Sequence, residues 1–163
     1  MADVVDKTTR SRMMAGIRGK NTKPEKALRA ALHSEGFRFR VHGAKLPGKP
    51  DIVLPMYKAV IFVHGCFWHR HPKCWWNTNP ASNVEFWTTK FGETIERDAR
   101  NITALREIGW RVAVVWECSL RLETIERVTS TLAQWLKGNE AMLNLPVEVK
   151  TGRSAKPRHD ACK

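Results

Sequence analysis

Between His64 and Trp76 the chain reads HGCFWHRHPKCWW, which places three histidines, two cysteines and four aromatic rings in one short loop. Imidazole and thiolate are ligands that zinc prefers, and imidazole also moves protons near neutral pH. Cys66-x4-His71-x2-Cys74 offers three such ligands. Cys118, at the end of a later apolar strand, can complete a tetrahedron if that strand lies beside the one ending at His64. The spacing is not that of a common zinc finger, and unpaired buried thiols are the plainer alternative. In a reducing compartment disulfides are the weaker reading, and Cys162, in a polar tail, reads as a free thiol.

A carboxylate should converge on the same place. Pro55 and Lys58 read as the flanks of a tight turn, so antiparallel pairing sets opposite each other residues whose numbers sum to about 113. Asp51 then lies beside Phe62, within a residue, and Phe62 shares a strand face with His64. The backbone carbonyl of Val63 is close by. A carboxylate plus a carbonyl oxygen is a usual way to hold Mg²⁺, although Asp51 could equally do no more than open a strand after Pro50.

The elements that must position these groups follow from pattern and punctuation. TTRSRMMAGIRGK could form a short basic helix, and TKPEKALRAALHSEG a better one, opening at Thr22, with Pro24 in its first turn and Gly36 at its close. FRFRVH alternates like a half-buried strand, GAKLPGKP is a loop, and DIVL and KAVIFVHG form the hairpin. Trp87, Phe91, Ile95, Ala99, Ile102, Leu105 and Ile108 mark a long amphipathic helix running to about Gly109. WRVAVVWE is a further buried strand and residues 123–137 a final helix. The expected architecture is α/β, a small mixed sheet flanked by helices.

The length of 163 residues suits one domain, and no repeat is visible. We expect a basic N-terminal arm over residues 1–20, the main domain over 21–143, and a mobile basic tail over 144–163. The net charge of +12 sits at the ends: residues 1–49 hold 12 Lys/Arg against 4 Asp/Glu, and residues 150–163 hold 5 against 1. Basic ends around a neutral middle point to a polyanionic partner, nucleic acid foremost. No apolar run reaches the length of a membrane span, and MADVVDKTTR lacks the features of a signal peptide, so a cytoplasmic protein without membrane attachment is expected. No oligomer seam is visible, and a monomer is expected.

LPGKPDIV, VIFVHGCFWHRH, FWTTKFGETIERDARN and GWRVAVVWEC together resemble the very short patch repair (Vsr) endonucleases, which nick DNA beside a T:G mismatch. The similarity runs from about Asp6 to about Trp135. It implies a restriction-endonuclease-like fold that keeps the usual Pro-Asp and replaces the usual Glu-x-Lys with a strand ending in histidine. It also implies double-stranded DNA substrate carrying a T:G mismatch left by deaminated 5-methylcytosine, and it leaves recruitment by mismatch-repair proteins open.

Carried over position by position, Asp51 resembles the principal Mg²⁺ ligand, with the Val63 carbonyl as its partner, and His64 and His69 resemble the catalytic imidazoles. Glu25 matches a catalytic position near the metal, yet Thr22-x-x-Glu25 is also a capping box, in which the glutamate would serve the helix end. The resemblance implies a structural Zn²⁺ on Cys66, His71, Cys74 and Cys118. HRHPKC is one residue longer than the family spacing, which leaves His69 or His71 as the ligand; we assign His71 and keep His69 for catalysis. Phe67, Trp68 and Trp87 resemble an aromatic wedge that enters DNA, although Trp87 also fits the apolar stripe of its helix. Met14 matches a position that approaches DNA from the other groove, and Arg97 and Asp98 match a pair that meets substrate. Thr94 stands where the family pattern has asparagine. Trp75 and Trp76 have no assigned counterpart.

Two other classes of function compete with a Mg²⁺-dependent mismatch endonuclease. One is a zinc-stapled DNA-binding module without catalysis, which would be favoured if Asp51 and His69 lay apart. The other is a nuclease of the same fold that cuts matched duplex.

Overall fold

The computed structural model describes residues 6–16 and 19–146. Helix α1 (Lys7–Ala15) is capped by Asp6, whose carboxylate accepts from the Thr9 N–H at 2.8 Å. Helix α2 (Lys23–Ser34) is capped by Thr22 and ends before Gly36, whose φ of +90° lets the chain reverse so that the Phe37 N–H reaches the Leu32 carbonyl. Strands β1 (Arg40–Val41), β2 (Ile52–Leu54) and β3 (Ala59–His64) form an antiparallel meander. Helix α3 (Val84–Glu107) then crosses to β4 (Arg111–Trp116), which pairs parallel to β3. Helices α4 (Glu117–Leu122) and α5 (Ile125–Lys137) lead to β5 (Met142–Leu145), parallel to β4.

The five strands lie in the order β1-β2-β3-β4-β5. Strand residues alternate between two cores with the two-residue period of a sheet. Ile52, Leu54, Ile61, Ala113 and Val115 face Leu28 and Leu32 of α2 and Val128, Leu132 and Leu136 of α5. Val53, Val60, Phe62, Val112 and Val114 face Leu105 and Ile102 of α3. The result is a three-layer sandwich, as parallel crossovers that carry helices require.

The hairpin register is Ile52 opposite Ile61, the pairing expected from the turn. Pro55–Tyr57 forms a single 3₁₀ turn and Lys58 closes it in the left-handed region, at φ 49°. Three features differ from the sequence reading. The first strand is two residues long, because Phe37 leaves the edge to join the core beside Tyr57. A short helix, α4, follows β4 directly and carries Cys118 in its first turn, where the sequence pattern puts that residue at the end of the strand. Strand β5 carries regular structure past the expected start of the tail, burying Leu145. Residues 147–163, with Cys162, lie outside the described residues. No helix among the described residues is long and apolar enough to cross a membrane.

The GAKLPGKP loop, which leads into Asp51, docks on α3 through Gly48. Its φ is +72°, and a Cβ there would sit 2.9 Å from the Asn101 Cβ. Gly48→Ala should therefore destabilise the fold by about 1–3 kcal/mol through backbone strain and overpacking. Urea unfolding measures it; a midpoint equal to that of the parent protein would show that the loop does not need this contact.

Candidate active site and metal centre

Asp51, Val53, Phe62, His64 and Trp116 belong to the sheet face that carries α3, so the chemistry gathers where β3 ends beneath that helix. Asp51 accepts a hydrogen bond from the Val63 N–H at 2.7 Å. Burial pushes its carboxyl up to about 6 despite that bond, and the neighbouring Glu25 pushes the same way. His64 is 6% exposed and stacks on His69, ring centroids 3.9 Å apart and planes 5° apart. Burial, reinforced by His69, drives the His64 imidazole down to about 3, so it is neutral at neutral pH.

His69 comes from the loop, and its Nδ1 lies 2.5 Å from Asp98 Oδ2. A carboxylate partner assigns the proton to Nδ1 and leaves Nε2 as the free acceptor. Burial raises the Asp98 carboxyl, but its bonds to His69 and Arg97 outweigh that and hold it below its ordinary value. Arg97 donates to Asp98 Oδ1 at 3.2 Å. Glu25, Lys49, Asp51, Val63, His64, His69, Arg97 and Asp98 all line one cleft of about 630 Å³. Asp51 and His69 thus share a site, which removes the ground for a purely binding module.

Glu25 faces this cleft while serving its helix. Its Oε1 accepts from the Thr22 hydroxyl at 3.0 Å, and its Oε2 from the Asn21 N–H at 2.9 Å and from Arg29 at 2.8 Å. Thr22 Oγ1 accepts from the Glu25 N–H at 3.4 Å, while the glutamate's return bonds go to the Asn21 N–H and the Thr22 hydroxyl rather than to the Thr22 N–H, and Arg29 adds a partner that sequence reasoning missed.

Cys66, His71, Cys74 and Cys118 offer four ligand atoms that lie within 4.8 Å of one another. His71 Nδ1 is 3.3 Å from the Cys118 sulfur and 3.9 Å from that of Cys66. A tetrahedral zinc with Zn–S of about 2.3 Å and Zn–N of about 2.1 Å would separate sulfur from nitrogen by about 3.6 Å. The donor set fits such an ion. Between the two histidines Arg70 is left-handed, at φ 56°, and sends His69 to the cleft and His71 to the cysteines.

Phe67 and Trp68 are half-buried, because α3 supplies a platform. Phe67 meets Trp68, Trp87 and Phe91 at 5.1, 5.7 and 5.3 Å between ring centroids, and Trp68 meets Trp87 at 5.9 Å. Trp87 is part of this cluster rather than of either core beneath the sheet. Met14 of α1 and Trp68 line an adjoining cleft of about 460 Å³, together with Glu25 and His69. Trp75 is exposed, and Trp76 lies under Arg121. Thr94 is buried, its hydroxyl bonded to the Lys90 carbonyl at 3.0 Å. The left-handed residues and the roles of Arg29 and Arg70 had no signal in the pattern of residue types.

The carboxylates of Glu25, Asp51 and Asp98, the carboxylate-oriented imidazole of His69 and basic residues on one cleft suit a hydrolase acting on an anionic substrate. Comparison with known proteins narrows that class. Residues 2–75 match the family model described as DNA mismatch endonuclease Vsr. The chain is 46% identical over 151 residues to DNA mismatch endonuclease Vsr of Escherichia coli (strain K12), covering 91% of this chain and 96% of that protein. It is 49% identical over 120 residues to the type II nicking enzyme V.XorIIP of Xanthomonas oryzae pv. oryzae, covering 74% and 88%. It is 46% identical over 127 residues to the type II nicking enzyme V.NmeAIP of Neisseria meningitidis serogroup A, covering 78% and 90%. The chain belongs to the DNA mismatch endonuclease Vsr family.

The metal centre generates a direct test. Purified protein should carry one tightly held transition-metal ion per chain, and Cys118→Ala should lose it together with several degrees of thermal stability, since structural metal binding contributes to folding. Elemental analysis showing undiminished metal in that variant, with an unchanged melting curve, would remove Cys118 from the ligand set.

Proposed function

We propose that this chain is a cytoplasmic endonuclease that nicks double-stranded DNA beside a T:G mismatch left by deaminated 5-methylcytosine, starting very short patch repair. The observation that carries the reading is the single cleft shared by Asp51 and the His64–His69–Asp98 group, next to an aromatic platform. Family membership and the nicking activity named for the relatives support it. The meander followed by a parallel crossover strand, with Asp51 ahead of β2, suits a restriction-endonuclease-like core.

In this reading Asp51 and the Val63 carbonyl hold Mg²⁺, with Glu25 facing the same cleft. A partly buried carboxylate such as that of Asp51, raised by burial and by Glu25, is suited to a hard cation. Mg²⁺, when bound, supplies positive charge that stabilises the phosphoryl oxygens as the bond breaks. His69, fixed by Asp98, takes a proton from the attacking water at Nε2. Neutral His64 packs against the face of His69 and holds its ring plane. Cys66, His71, Cys74 and Cys118 hold Zn²⁺, which ties the loop down.

Phe67, Trp68 and Trp87 enter between base steps, with Met14 approaching from the opposite side. Opening a step costs roughly a few kcal/mol, less at a mispair, and each base regains about 1–3 kcal/mol by stacking. The platform therefore discriminates by the cost of unstacking rather than by hydrogen bonds alone.

Two experiments test these roles. Asp51→Asn should abolish Mg²⁺-dependent nicking of a T:G duplex while leaving its binding within a few-fold; near-parental nicking would falsify the assignment. Trp68→Ala should shrink the affinity ratio between T:G and matched duplex by roughly tenfold at one fixed salt concentration, the equivalent of about 1.4 kcal/mol. Equal weakening of both duplexes would make Trp68 a general contact.

A further inference from the structure

Arg70 separates a cleft histidine from a metal-cluster histidine, yet its side chain serves neither. The guanidinium lies 4.0 Å from the centroid of Phe91 and 5.8 Å from that of Phe67. Its Nη1 donates to the Thr78 carbonyl at 2.9 Å and its Nη2 to the Asn79 side chain at 2.6 Å. One planar cation thus covers two rings of the aromatic platform and ties down the segment that connects the metal loop to α3.

The backbone is in keeping with this assignment. A non-glycine residue in the left-handed region costs on the order of 1 kcal/mol, so the φ of 56° at Arg70 is held by its surroundings. Both hydrogen bonds come from the rigid fork of the guanidinium, and its flat face matches the rings; the point charge of lysine reproduces neither. Phe67 stands directly on Cys66, and Phe91 stands on α3. Without the arginine, Phe67 meets α3 through two edge-on ring contacts only, with Phe91 at 5.3 Å and Trp87 at 5.7 Å between centroids.

We propose that Arg70 is a positioning residue for mismatch discrimination: it clamps Phe67 against Phe91 and so sets the direction in which the aromatic wedge is presented. The inference rests on the wedge reading above. It assigns to Arg70 no contact with DNA and no part in the cleavage step. The clamp acts through three groups that lie outside the catalytic cleft, namely the Phe91 ring, the Thr78 carbonyl and the Asn79 amide.

The test is a set of binding titrations with T:G and matched duplexes at one salt concentration, on Arg70→Ala, Arg70→Lys, Trp68→Ala and the Arg70→Ala/Trp68→Ala double variant, each with its metal content measured. If Arg70 clamps the wedge, Arg70→Ala shrinks the T:G-to-matched ratio by about fivefold with metal retained, Arg70→Lys shrinks it too, and the double variant loses no more than Trp68→Ala alone. Acrylamide quenching of tryptophan fluorescence in the free protein should also rise in Arg70→Ala. If Arg70→Ala weakens both duplexes equally and Arg70→Lys restores them, the arginine is a phosphate contact and the clamp is overturned. If metal is lost in step with the ratio in both Arg70 variants, the residue serves the metal loop and the clamp is again overturned. An intact ratio in Trp68→Ala overturns the wedge reading itself, whereas a ratio reduced in Trp68→Ala and unchanged in Arg70→Ala overturns only the clamp.

Discussion

The parallel pairing of β3 with β4 is the constraint on which the site depends. His64 lies opposite Trp116 in that ladder, so the two strands end level with each other. Cys66 and Cys118, each two residues further on, therefore meet, and the Cys118 N–H reaches the Cys66 sulfur at 3.4 Å. A slip of one residue would turn every side chain on one strand to the wrong face and carry His64 out from beneath α3. His71 stacks on Trp116 at 4.3 Å, which anchors the far side of the loop to the same strand end. A loop without regular structure can hold an imidazole in place because the sheet holds both of its roots.

Burial then decides the charges. Asp51, partly buried, and His64, buried, line the same cleft, and each is pushed toward its neutral form, the carboxyl upward and the imidazole downward. Asp98 escapes that fate through its bonds to His69 and Arg97, so it ionises more readily than Asp51, and it is the one that orients the imidazole. Glu25 keeps its charge company with Arg29, which is only 13% exposed. At Asp51, burial and Glu25 raise the carboxyl by more than the Val63 N–H, Arg29 and His69 lower it. That imbalance is what a cation site needs before its cation arrives.

How much of this was legible from the sequence depended on whether the information was local. The hairpin register followed from Pro55 and Lys58 alone, since the turn lies between the strands it aligns. The cluster of Cys66, His71, Cys74 and Cys118 was legible from residue types plus one condition on strand neighbours, which β3 and β4 meet, while preferring His71 to His69 came with the resemblance. Strand β5 was hidden because MLNL is short, lies next to Pro146 and owes its order to β4 rather than to its own pattern. Helix α4 was hidden in the same way by its six residues. Glu25 could not be resolved from the sequence, because capping and facing the cleft are compatible and the structure has both. The stacked imidazoles and the Arg70 clamp depend on a left-handed residue that no propensity would assign to arginine.

Helix α3 joins the aromatic platform to the cleft. Trp87, Phe91, Thr94 and Asp98 recur at three or four residues, so they lie along one stripe facing the loop. The aromatic platform occupies the first part of that stripe and the carboxylate that orients His69 the last. Thr94 lies between them, 9% exposed, one turn from Phe91 and one from Asp98. Its hydroxyl is returned to its own helix at the Lys90 carbonyl, so nothing polar projects from this position. Asparagine, expected there by resemblance, would have to bury a larger amide or drive it outward between the platform and the carboxylate. In this chain position 94 is a spacer, and any polar contact made from this part of the stripe must come from its exposed neighbours.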